Sequence, residues 1–274
     1  MLGKLLKNEL KHSGRYVITI YSVTAAVVAF MAIGILTKVT WIGVLCSVLL
    51  NFVAVAILLV TLIAVVKNFY ESLYTNLGYL SFTLPVKCSS LLLSKVIISF
   101  FWIILSYVIA GLCVAMVGLN AKAQAGEQFS GLFDLLDMSG LREMIPSGAT
   151  MAAIIAFAVV MILMHILTLV GFIYFSVTIA NTRPLQGHPL LFGLLTFLGS
   201  YGVGYAISTK LTYSLPLSVY VTTEKIGLAF EKMSFGGENQ LFSFGLGGTL
   251  FIALAALGLL FFTGWIMEHK VNIK

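Results

Sequence analysis

The chain alternates long uncharged apolar runs with shorter polar connections. The first run, Tyr16 to Leu36, would reach about 31 Å as a helix at about 1.5 Å per residue, which matches the hydrocarbon core of a bilayer. Thr37 to Thr40 then make a short connection, and Trp41 to Val66 carries no charge, so the first two runs predict a helical hairpin across the membrane. A third run covers about 91–119, with Lys95 near its start and able to snorkel to the interface. A fourth covers 147–179 and is longer than one perpendicular crossing needs, so it must tilt, kink or project. The fifth and sixth cover 190–209 and about 241–267, the fifth preceded by a turn holding Pro184 and Pro189. Between them, 210–240 is a mixed segment with two open placements, lying in the interface or re-entering the membrane.

Composition makes lipid the solvent of most of this surface. Hydrophobic residues make up 60% of the chain and charged residues 9%, and mean hydropathy is +1.06, whereas soluble domains carry about a quarter charged residues. The net charge of +6 raises nucleic acid as a partner, but no basic patch with interleaved aromatics lies outside the apolar runs. Topology accounts for the charge better. In a six-span arrangement one side gathers Lys4, Lys7, Lys11, Arg15, Lys67, Lys87, Lys95, Arg183, Lys270 and Lys274, and the other only Lys38, Lys122, Arg142, Lys210, Lys225 and Lys232. The side richer in Lys and Arg faces the cytoplasm, which places both termini inside. Cys46, Cys88 and Cys113 are too few and too scattered for a disulfide framework or a zinc site.

Motifs for chemistry are missing from the sequence. There is no G-x-x-x-x-G-K-[ST] loop, no H-E-x-x-H and no G-x-S-x-G, so neither a catalytic site nor a bound cofactor or metal is expected. The glycines Gly245, Gly247 and Gly248 open the sixth run and read as small residues that let helices approach closely. His165 is the one ionisable group deep in the fourth run. It is read either as a neutral hydrogen-bonded packing residue or as part of a substrate path. No Asp or Glu falls within the central runs, which weakens an ion-coupled carrier and makes an external energy source more economical.

Two polar segments carry structure of their own. In residues 1–15, Leu2, Leu5, Leu6 and Leu10 share a helical face opposite Lys4, Lys7 and Lys11, which predicts an amphipathic helix on the membrane surface. Residues 67–95 are too long for a simple inner turn. Phe69, Leu73 and Tyr74 fall near one face of a short helix, Asn76-Leu77-Gly78 is a stop signal, and Pro85 ends the next apolar stretch. A short cytosolic helix with exposed aromatics is thereby predicted, of the kind that docks in a partner's groove.

This same segment carries a family resemblance. Its pattern F-Y-x-x-L-x-x-x-x-G-Y-L-x-F-T-L-P-V, followed by L-L-x-S-K, together with the basic start and six spans, resembles the ABC-2 type transporter permeases of Gram-positive bacteria. The sharpest matches are Tyr79 to Val86 and Leu92 to Lys95, and the overall likeness covers nearly the whole chain. The resemblance implies an all-α integral membrane protein of six transmembrane helices. An N-terminal interfacial helix would precede them, and a cytosolic coupling helix would lie between helices two and three. Phe69, Tyr70, Glu71, Leu73 and Tyr74 would contact a separate ATP-binding subunit, which holds ATP and Mg, and Tyr79, Phe82 and Pro85 would connect that contact to helix three. A second permease chain, identical or paralogous, would complete the membrane pathway in the bacterial plasma membrane, for an amphipathic or apolar cargo. The alternatives are a non-transporting sensor or immunity protein, or an ion-coupled carrier.

Overall fold

A computed structural model describes residues 2–36, 40–75, 88–125, 148–182, 185, 187–222, 226–230 and 242–269. Six helices dominate them: α1 (Leu2–Leu36), α2 (Thr40–Tyr74), α3 (Cys88–Ala125), α4 (Gly148–Ala180), α5 (Pro189–Ser214) and α6 (Leu246–His269). Between α5 and α6 lie three short strands, β1 (Ser218–Val221), β2 (Ile226–Ala229) and β3 (Phe242–Gly245). Five helices are long and apolar enough to cross a membrane, or six when the two parts of α1 are taken as one span. Those parts, Leu5–Gly14 and Val17–Phe30, meet at a bend of 46°, close to the predicted join between arm and first span.

The chain divides into two compact units, one formed by 1–68 with 97–143 and the other by 69–96 with 144–274. In the first unit, hydroxyls and amides tie apolar helices together. Tyr21 Oη and Ser106 Oγ lie 2.7 Å apart, Ser106 Oγ donates to Thr61 Oγ1 at 2.7 Å, and the Trp102 indole donates to Ser13 Oγ at 2.9 Å. Asn120 Nδ2 donates to the Gly43 carbonyl at 2.8 Å and to Ser47 Oγ at 2.6 Å. Lipid tails are as apolar as leucine, so polar contacts of this kind supply part of the association that water would otherwise drive. Around them pack Cys46, Leu50, Ala54, Ile57, Ala110 and Cys113, with a smaller cluster of Val17, Ile98 and Trp102 that Leu6 of the arm joins.

In the second unit α4 packs against both α5 and α6, and α5 against α6. Thr196 Oγ1 approaches the Ser176 carbonyl at 3.4 Å, and Gly204 lies against the Phe172 ring, which sets α4 and α5 antiparallel. Gly171 meets Ala256 so closely that a Cβ there would lie 2.9 Å from the Ala256 carbonyl oxygen. The predicted packing role of the Gly245–Gly248 stretch is seen directly. A Cβ at Gly247 would come within 2.8 Å of Leu215, one at Gly248 would run into Thr212 Oγ1 and the Ser208 carbonyl, and Ser208 Oγ donates to the Gly248 carbonyl at 2.9 Å.

The strands amend the all-α expectation, and they give the described part of 215–230 its secondary structure. They form an antiparallel sheet in the order β2-β1-β3, with Val219 facing Leu228 on one side and Phe244 on the other. S-V-Y-V, I-G-L-A and F-S-F-G alternate with period two, a signal that a hydropathy window averages away. Tyr220 faces Gly227, and its ring lies where a Cβ of that glycine would be. The sheet also accounts for the length of α4. With Gly171 level with Ala256, about a dozen residues at the N-terminal end of α4 run past the start of α6, and Phe157 meets Phe244 of β3 edge to face at 6.1 Å.

Candidate functional site

The segment that carries the resemblance is built differently from its prediction. Residues 67–74, expected to form a separate short helix, instead continue α2 without a break to Tyr74, past the apolar stretch that ends at Val66. Nothing in the polar residues Lys67, Asn68 and Glu71 breaks a helix, and their side chains need only a wetter setting. The extra eight residues of α2 extend it by about 12 Å.

Phe69, Ser72 and Leu73, at i, i+3 and i+4, form the buried stripe of this extension, and Phe69 and Leu73 have no exposed surface. Phe69 is thus buried within this chain, where the sequence suggested an exposed aromatic. Phe69 stacks face to face on Tyr174 of α4, with ring centroids 3.7 Å apart and planes 10° from parallel. Tyr74 Oη donates to Thr178 Oγ1 of α4 at 2.8 Å, and Tyr174 and Thr178 are one helical turn apart on the same face. Tyr70 and Glu71, at the two positions between Phe69 and Ser72, are half-buried and retain accessible surface.

Lys95 of α3 completes the junction. It was expected to snorkel outward, yet it is 1% exposed, and its Nζ donates to Ser72 Oγ at 2.6 Å. Ser72 Oγ in turn donates to the Phe69 carbonyl at 3.2 Å, and Tyr174 Oη donates to the Lys95 carbonyl at 3.3 Å. An ammonium taken out of water is tolerated where acceptors meet it, and Ser72 is one of its partners here. The ends of α2, α3 and α4 thus interlock through one aromatic stack and a set of hydrogen bonds. Lys95, Ser72, Tyr174 and Thr178 were not singled out as site residues from the sequence. A lysine and a serine among apolar helix positions were the available signal.

Tyr79, Phe82 and Pro85 lie outside the described residues, as do the acidic residues of 126–147. His165 is exposed on α4. Among the described residues no cluster of three or more His, Cys, Asp or Glu side chains is placed to hold a metal. The arrangement is a helix-end junction in a helical membrane protein. No protein-family model, curated protein or solved structure matches the chain.

Proposed function

We propose that this chain is the membrane-spanning subunit of an ATP-driven exporter of the ABC-2 type, working with a separate ATP-binding subunit and a second permease chain. What carries the reading is the coincidence of the family-like segment, Phe69 to Lys95, with the interlocked ends of α2, α3 and α4. A push or pull on residues between Tyr74 and Cys88 would act on three helix ends at once, since α2 and α3 flank that segment directly and Phe69 and Tyr74 are joined to α4. In this reading Tyr70 and Glu71 offer the accessible surface to the motor subunit, while Phe69, Leu73 and Tyr74 pass the displacement inward. ATP and Mg belong to the partner. Cargo would be amphipathic or apolar, with exposed His165 along its path, and the membrane would be the bacterial plasma membrane.

The test is affinity purification of the tagged chain from native membranes in mild detergent, with identification of stoichiometric partners and an ATPase assay. A co-purifying ATP-binding subunit with vanadate-sensitive hydrolysis is expected, and Glu71→Lys should lower the yield of that subunit. A reproducibly ATPase-free preparation from active membranes would instead favour the sensor or ion-coupled carrier.

A further inference from the structure

We propose that β2 and the adjoining Phe230 form a lipid anchor, which seats the three-stranded sheet on the bilayer surface at the C-terminal end of α5. This inference needs only the spanning helices and does not rest on the exporter reading. Strand alternation puts Val219, Val221, Leu228 and Phe244 on one face of the sheet and Ser218, Tyr220, Gly227 and Ser243 on the other. The apolar face is unevenly covered. Val219 and Val221 of the central strand are 4% and 1% exposed, whereas Leu228 on the β2 edge is 66% exposed and Phe230, just after the strand, 82%.

Register gives these two side chains their depth. Ser218 pairs with Ala229 and with Gly245, the residue directly before α6, and the Leu246 amide donates to the Leu217 carbonyl at 2.9 Å. Ala229 is therefore level with the helix ends, Phe230 follows it, and Leu228 is one residue, about 3.4 Å, further out. The polar boundary of the bilayer falls at the same level. Lys210 and Tyr213, both exposed in the last turns of α5, are the residue types that mark the interface, the lysine by snorkelling and the tyrosine by its amphipathic ring. On α4, Ile155 and Val159 flank the Phe157 that meets the sheet, and both are exposed and apolar.

Interfacial helices sink an apolar face about 5–10 Å into the headgroup and acyl boundary, and Leu228 with Phe230 would do the same from a strand. The backbone argues for that depth and no deeper. β2 is an edge strand whose outer groups need water, which hydrocarbon does not supply and the headgroup layer does. The occupant is thus the bilayer itself, which also suits the exposed apolar side chains Val203 and Ile207 of α5 and Leu254 and Phe261 of α6.

The full chain carrying Phe230→Trp, and separately Leu228→Trp, would be placed in nanodiscs of phosphatidylcholine brominated on its acyl chains. Both positions are exposed, so neither change threatens the fold. After subtraction of the native emission from Trp41, Trp102 and Trp265, the added component should be blue-shifted. It should lose most of its intensity to the bromolipid and little to aqueous iodide. Quenching by iodide with none by bromolipid would overturn the anchor by placing the strand in water. Quenching by neither would overturn it by showing that protein covers the patch.

Discussion

Ser72 and Lys95 set the energetics of the helix-end junction. Removing the Ser72 hydroxyl takes away one acceptor from the Lys95 Nζ, a polar group on a side chain that is 1% exposed. Loss of a partner to a buried polar group costs about 1–3 kcal/mol, and more for a charged one. Ser72→Ala should therefore destabilise the chain by about 2 kcal/mol in denaturant titration in mixed micelles. Replacing a buried ion by an apolar side chain of similar volume is often neutral or stabilising, so Lys95→Met should cost less than Ser72→Ala. The double substitution should recover most of the loss. If the two single costs simply add, the 2.6 Å contact is not the one that matters.

Helices in this chain approach one another through positions without side chains, and the effect of substitution should follow local space. Within α6, a Cβ at Gly248 would collide with Thr212 Oγ1 and the Ser208 carbonyl, while one at Gly258 would meet nothing within 4 Å. Gly248→Ala should lower stability by about 1–3 kcal/mol through overpacking, with a loss of thermal stability in detergent. Gly258→Ala removes a residue that disfavours helix and should be neutral or stabilising by up to about 1 kcal/mol. Equal effects at the two positions would show that α5 and α6 do not pack as described. The glycine stretch was readable as packing from composition, since small residues in an apolar run have few other uses. Its partner residues Ser208 and Thr212 were not, because nothing local relates them to Gly248. The same reasoning covers Phe69. Its helical face could be read from spacing, but the ring it stacks on, Tyr174, is distant in sequence, so spacing alone does not show that Phe69 points inward. The apolar runs found the helices and missed their ends. Hydropathy marks where lipid stops, whereas α2 to Tyr74 and α5 to Ser214 continue for as long as the backbone can bond internally.

For the molecule as a whole, the number of crossings decides which side each end occupies. Five helices qualify as spans outright, and α1 makes a sixth if its two parts act as one crossing element. Six crossings put both termini on one side and five put them on opposite sides, so α1 determines the topology of everything before α2. The arm up to Gly14 carries Lys4, Lys7 and Lys11 ahead of the bend, and Val17–Phe30 beyond it has no charge. A helix of that composition costs little to insert once its basic flank is held at the cytoplasmic surface. The Lys and Arg distribution agrees, with ten such residues on the side of the termini and six on the other. Reporter fusions are expected to give fluorescence of a cytoplasmic reporter at both ends. Alkaline phosphatase should be active when inserted between Ala125 and Arg142 and inactive when fused at either end. A fluorescent C terminus with a phosphatase-active N terminus would mean that α1 lies along the surface for its whole length, and that five crossings carry the fold.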